Sequence, residues 1–145
     1  MNILTFDIEE WFHILDNFQT NLESNWLSYE SRIKRNMDII FEIIDQANVS
    51  PTFFVVGWIA EKYPEIVKLI SSKNFEIGSH THLHKLVYDN NRDFFYKDVE
   101  KSIKTIEDCI GKKVKSFRAP GFSITEENKW AFEVLHELGI EKDAS

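Results

Sequence analysis

Short apolar runs alternate with longer stretches of helical periodicity along the whole chain, and this alternation constrains the fold more than any other feature. The runs Asn2–Phe6, Thr52–Val56, Phe75–Ser79, Lys115–Arg118 and Ile140–Ser145 read as five strands. Thr52–Val56 is continuously apolar, the pattern of a strand covered on both faces. Four helices are expected between them, at Ser28–Ala47, Trp58–Ser72, Asp93–Ile110 and Glu126–Leu138. In the first, Ile33, Met37, Ile40, Phe41 and Ile44 recur at helical spacing and form a buried stripe. Pro64 begins a second helical piece inside the next, Gly111 caps the third and Gly139 ends the last. Asp16–Leu27 is mixed and polar and reads as a loop. Strictly alternating β and α elements imply an α/β fold of parallel strands with crossover helices. A complete (β/α) barrel takes about 250 residues, whereas this chain has 145. The pattern therefore fits a small open α/β domain or most of a barrel stopped before closure.

In a parallel sheet all C-terminal strand ends lie on one rim, where α/β enzymes carry their chemistry. The first run ends in Asp7-Ile8-Glu9-Glu10, and the third ends in Gly-Ser-His-Thr-His-Leu-His over residues 78–84. His80 and His84 stand four positions apart, and on one helical turn both imidazoles would share a side and a cation. Taken alone, the pair reads equally as a polar surface turn with incidental histidines. Taken alone, the acids read more simply as helix caps or as groups facing water. His82 lies two positions from each of the other histidines and is expected to point away from them, toward a supporting role or none. The rim nevertheless collects Asp7, Glu9, His80, His84, Arg118 and Asp143. Two histidines and a carboxylate with open positions form a known catalytic metal set, and a second carboxylate beside the ion can act as general base.

Composition excludes several classes. A net charge of −7 argues against nucleic acid or an anionic membrane as the main partner. No apolar run reaches membrane-spanning length, and the N-terminus shows no basic region before its first strand. The expected compartment is the cytoplasm. Cys109 is the single cysteine, so no internal disulfide can form; it lies on the apolar face of the third helix as an expected buried thiol. Aromatic residues reach 14%, enough for a packed core and rings that cover the apolar faces of sugars.

At these residues the chain resembles the NodB-type polysaccharide deacetylases, the carbohydrate esterase family 4 group, and its exopolysaccharide-cluster branch in particular. Thr5-Phe6-Asp7-Ile8-Glu9-Glu10-Trp11-Phe12 is similar to the first family motif, His80-Thr81-His82-Leu83-His84 to the second, and Arg118-Ala119-Pro120 to the third. Leu86-Val87-Tyr88 and Gly121-Phe122-Ser123-Ile124-Thr125 also fit that branch. The resemblance covers residues 1–145 and implies a partial (β/α) barrel of the NodB/glycoside hydrolase–deacetylase type, with the C-terminal part of the domain missing. It implies Asp7 as catalytic base, Arg118 as the residue that pairs with and orients it, and His80 and His84 as ligands of a divalent metal, zinc by family habit. The usual third ligand, an Asp next to the base, is replaced here by Ile8, which shifts that role to Glu9. Asp143 resembles an acid that supports the family's general-acid histidine, a residue lying further along in family members; His13 and His136 do not suit that role by position. The implied activity is removal of N-acetyl groups from an oligo- or polysaccharide. Alternatives on the same resemblance are hydrolysis of small cyclic amides, or metal or glycan binding without catalysis. An exposed sheet edge would favour association with a second copy.

Overall fold

The computed structural model describes residues 3–15 and 17–145, and the expectation for Asn2 and Asp16 lies outside the described residues. Among the described residues ten main elements follow one another. They are β1 (Thr5–Ile8), α1 (Ile33–Ala47), β2 (Thr52–Val55), α2 (Gly57–Lys62), α3 (Pro64–Ser72), β3 (Glu76–Ser79), α4 (Arg92–Ile110), β4 (Ser116–Phe117), α5 (Trp130–Glu137) and β5 (Lys142–Asp143). All neighbouring strands are parallel, in the order β1-β2-β3-β4-β5. A doubly wound sheet reverses its order at a switch point; this one advances in a single direction, as a barrel does.

The sheet also curls. β1 and β4 are separated by two strands, yet Arg118 Nη1 just beyond β4 donates to Thr5 Oγ1 and Asp7 Oδ1 of β1, both at 2.9 Å. Alternation along the strands divides two environments. Ile8, Phe53, Val55, Ile77 and Phe117 join the core formed with the helices. Thr5, Asp7, Phe54 and Gly78 face the concave side, where the Arg118 guanidinium lies 4.4 Å above the Phe54 ring. The second face of β2 is therefore covered by Arg118 rather than by another helix layer. The floor of the same face is polar, with Ser116 Oγ and Lys142 Nζ donating to Glu76 Oε1 at 2.5 and 2.9 Å.

Each helix buries the stripe its sequence encodes. α1 buries Ile33, Met37, Phe41 and Ile44; it begins at Ile33 rather than Ser28. Its start is fixed from a distance: the Glu10 carboxylate accepts the backbone N–H groups of Arg32 and Ile33, at 2.9 and 3.1 Å. That satisfies free donors of the first turn with a charge favoured at a helix N-terminus. The expected 58–72 helix divides at Tyr63, and Pro64 opens α3 where its missing N–H costs nothing. The last helix divides likewise into a 3-10 turn at Glu126–Asn128 and α5. Asp16–Leu27 is more than a polar loop. Residues 23–28 form a 3-10 turn, and Trp26 inserts into the core with its Nε1 donating to Thr20 O at 2.7 Å. Cys109 is half-buried, its thiol toward Ala60 O. Among the described residues no helix is long and apolar enough to cross a membrane.

Gly78 marks the tightest point of the sheet. A Cβ there would stand 2.6 Å from the Phe54 ring and 2.8 Å from the Ser116 carbonyl oxygen. The ring can shift only by disturbing Arg118, and the carbonyl belongs to a paired strand. Gly78→Ala is expected to destabilise the chain by about 1–3 kcal/mol, read as a lower urea midpoint at unchanged slope.

Candidate metal centre

β1 ends at Ile8, so Asp7 is within the strand and Glu9 just past it. His80 follows β3 directly. Neither histidine is helical. Residues 80–86 form an irregular loop in which Thr81 (φ 61°) and His84 (φ 53°) adopt left-handed backbone. The expected helical turn is thus replaced by a tight reversal that achieves the same convergence.

Three donor atoms meet there. His84 Nε2 lies 2.9 Å from Glu9 Oε2 and 3.2 Å from His80 Nε2, and the ligand atoms of Glu9, His80 and His84 all lie within 4.8 Å of one another. The tautomers follow from the far side of each ring. His80 Nδ1 meets the Arg118 carbonyl at 2.7 Å and His84 Nδ1 meets the His13 carbonyl at 2.9 Å. A carbonyl only accepts, so both Nδ1 atoms carry hydrogen, and in that tautomer each Nε2 is the atom left to ligate, turned toward the other ring and toward a carboxylate. Glu9 Oε2 is itself buried without a hydrogen-bond partner. A proton would satisfy one contact; a divalent cation satisfies all three. Two ligands held about 2.0–2.1 Å from one zinc-like ion stand roughly 3 Å apart, so the donor set and its spacing fit such an ion.

Electrostatics agree with that fit. Burial pushes the Glu9 carboxyl up, but the His84 contact, and the positive charge that His84 and His80 carry when protonated, outweigh it and hold it below its ordinary value. Burial, and next the neighbouring His84, lower His80 to about 4, so its imidazole is neutral at pH 7 and free to ligate. Beside the triad, Asp7 Oδ2 stands 3.8 Å from His80 Nε2. Its other oxygen is held by Arg118, which also donates from Nε to Ala144 O at 3.1 Å. Arg118 therefore acts twice, through its side chain on Asp7 and through its carbonyl on His80.

Asp143 stands apart. It pairs in register with Phe117, whose ring is in the helix-side core, so its side chain lies on the face opposite Arg118. Its Oδ1 accepts from Ser145 N and Oγ at 3.3 and 2.7 Å. His13, discounted by position, has a role of another kind: its carbonyl orients His84, and its ring is buried among Phe12, Trp26 and Trp58. Nothing in the sequence pattern signals a backbone carbonyl as a ligand-orienting group.

The buried His13 ring gives the chain an acid-sensitive element. Burial, then the fields of His84 and His80, push it down to about 3. A histidine lowered on folding contributes stability that is complete above about pH 6.5 and is lost as pH falls toward its folded value. From pH 7 to pH 5 the metal-free chain is expected to lose about 2 kcal/mol from this residue alone, measured by urea unfolding. A His13→Asn variant should flatten that slope.

A sequence profile described as polysaccharide deacetylase matches residues 18–142. The chain belongs to the polysaccharide deacetylase family. Asp7 and Glu9 precede the matched segment, so the geometry above is what links them to the two histidines. Over 95 residues the chain is 36% identical to a peptidoglycan-N-acetylglucosamine deacetylase of Bacillus cereus, covering 65% of this chain and 34% of that protein. Among solved structures, a peptidoglycan N-acetylglucosamine deacetylase bound to a naphthyl N-hydroxybenzamide superposes with a TM-score of 0.71 at 26% identity, covering 97% of this chain and 54% of the other. A pseudoenzyme of carbohydrate esterase family 4 from Bacillus anthracis superposes with a TM-score of 0.73 at 20% identity, covering 97% and 41%. The chain thus spans about a third to a half of the length of these relatives. As a polysaccharide deacetylase family member, it carries the partial barrel of that fold, with five parallel strands and their helices.

Proposed function

We propose that this chain forms the metal-holding part of a hydrolase that removes N-acetyl groups from a bacterial polysaccharide or its precursor. The observation that carries the reading is the convergence of Glu9 Oε2, His80 Nε2 and His84 Nε2 beside an Asp7 held by Arg118. A divalent cation in this donor set, zinc by its two imidazoles and one carboxylate, would supply the Lewis acidity that polarises the acetyl carbonyl and acidifies a water.

The chain's own groups account for the rest. Glu9, His80 and His84 would hold the cation. The carbonyls of Arg118 and His13 fix both imidazoles in the ligating tautomer. Asp7 Oδ1 is occupied by Arg118, which leaves Oδ2, the oxygen toward His80, to take a proton from the attacking water. Water oxygen bonds to the acetyl carbon, the C–N bond breaks, and the leaving amine takes up the proton that Asp7 removed from the water, giving acetate and a free amino sugar. A cleft of about 390 Å³, lined in part by Phe12, Phe18, Trp26 and Leu86, touches the triad at His84 and not at Glu9 or His80. Phe18 is 91% exposed, and its ring suits the apolar face of a sugar ring. The identity to a peptidoglycan-N-acetylglucosamine deacetylase supports an N-acetylated amino sugar as the substrate class.

Zinc-loaded protein incubated with N-acetylglucosamine oligomers is expected to release acetate and primary amine in equal amounts. Turnover of cyclic amides alone would replace this substrate class. Stoichiometric zinc with no turnover of either would reduce the chain to a binding module.

A further inference from the structure

The loop that presents His80 and His84 contains two residues in left-handed backbone, which is unfavourable for side chains other than glycine. Something must hold it. Its carbonyls are taken by the start of α2, where Gly57 N and Trp58 N donate to Thr81 O and His82 O at 2.8 and 3.1 Å. Its mid-loop amides are taken by one side chain. Asp98 on α4 accepts His82 N at 2.7 Å on one oxygen and Leu83 N at 3.1 Å on the other. Asp98 is buried, 8% exposed, in the middle of the stripe that α4 turns to the core. A charged group in that position is costly unless it is fully engaged. Apolar periodicity alone would place an aliphatic residue there.

We propose that Asp98 is a positioning residue of the metal centre, whose two carboxylate oxygens fix the 80–84 loop in the curvature that brings His80 Nε2 and His84 Nε2 together. The inference rests on the reading of the triad as a metal site. The two amides that Asp98 binds lie between the two ligands, so loosening them frees one imidazole from the other. Neither Arg118 O nor His13 O compensates, because each acts on one ring only. Asparagine is a poor substitute, since its oxygen can accept one N–H while its amino group opposes the other.

The test compares wild type with Asp98→Ala, Asp98→Asn and Asp98→Glu in the full chain. Zinc affinity is measured by competition with a chromophoric chelator, at a temperature where circular dichroism shows each protein folded. Expected is a 10–100-fold weaker zinc affinity in the alanine variant, a smaller loss in the asparagine variant and partial recovery with glutamate. The imidazole Nδ1–H resonances of His80 and His84 are followed in the metal-free proteins by ¹⁵N spectroscopy. Wild type should show both protected, and Asp98→Ala should lose them. If Asp98→Ala does not fold, Asp98→Asn carries both readouts. A folded variant with wild-type zinc affinity and intact ring resonances overturns the proposal. Wild type that binds no zinc overturns the metal reading instead, and the ring resonances then still decide whether Asp98 holds the loop.

Discussion

A His84→Ala variant is expected to lose its divalent ion and all measurable deacetylation while remaining folded. His84 is the hinge of the triad: its Nε2 is the atom within 3.2 Å of both other ligands. Without it, Glu9 and His80 keep only a two-point grip. Loss of a supporting partner of a ligand typically costs 10–100-fold in metal affinity, and loss of a ligand itself should exceed that. The check is zinc content by mass spectrometry after dialysis against a weak chelator, alongside acetate release. His136→Ala, on the exposed face of α5, serves as the control and should retain both. Retention of zinc and activity by His84→Ala would break the account.

Asp7→Asn is expected to separate binding from chemistry. Asparagine preserves the shape of the side chain, and its oxygen can still accept from Arg118, so zinc content and KM should hold. What it lacks is the second carboxylate oxygen that takes the proton. A positioned general base is worth about 10²–10⁴-fold in rate, and kcat should fall by that factor. Arg118→Lys should lower kcat in the same direction. The guanidinium reaches Asp7, Thr5 and Ala144 O at once while stacking on Phe54, and an ammonium cannot reproduce that fork. An Asp7→Asn enzyme with undiminished kcat would remove Asp7 from the reaction.

The fold and the site were legible in the sequence to different depths. Five apolar runs and the stripes between them set the parallel α/β order, because burial periodicity is local information. The register that places Asp7 beside Arg118 is not local. It follows from the curl of a sheet whose fourth strand reaches back to its first. His80 and His84 were expected to converge through helical spacing; they do so through a left-handed loop, because Asp98 and the α2 N-terminus satisfy its backbone. Glu10 shows the opposite case. Of the three acids in Asp7-Ile8-Glu9-Glu10, it is the one that caps a helix, and sequence alone could not assign that role among neighbours of identical charge. Trp26 escaped the pattern for a similar reason, a single aromatic anchor in an otherwise polar segment.

Diffraction from zinc-grown crystals on both sides of the zinc absorption edge tests the central claim most directly. The account predicts one anomalous peak about 2.0–2.2 Å from a Glu9 carboxylate oxygen, His80 Nε2 and His84 Nε2, with Asp7 beside it and still held by Arg118. A peak bound by other residues, or no peak between these three side chains at saturating zinc, would contradict it.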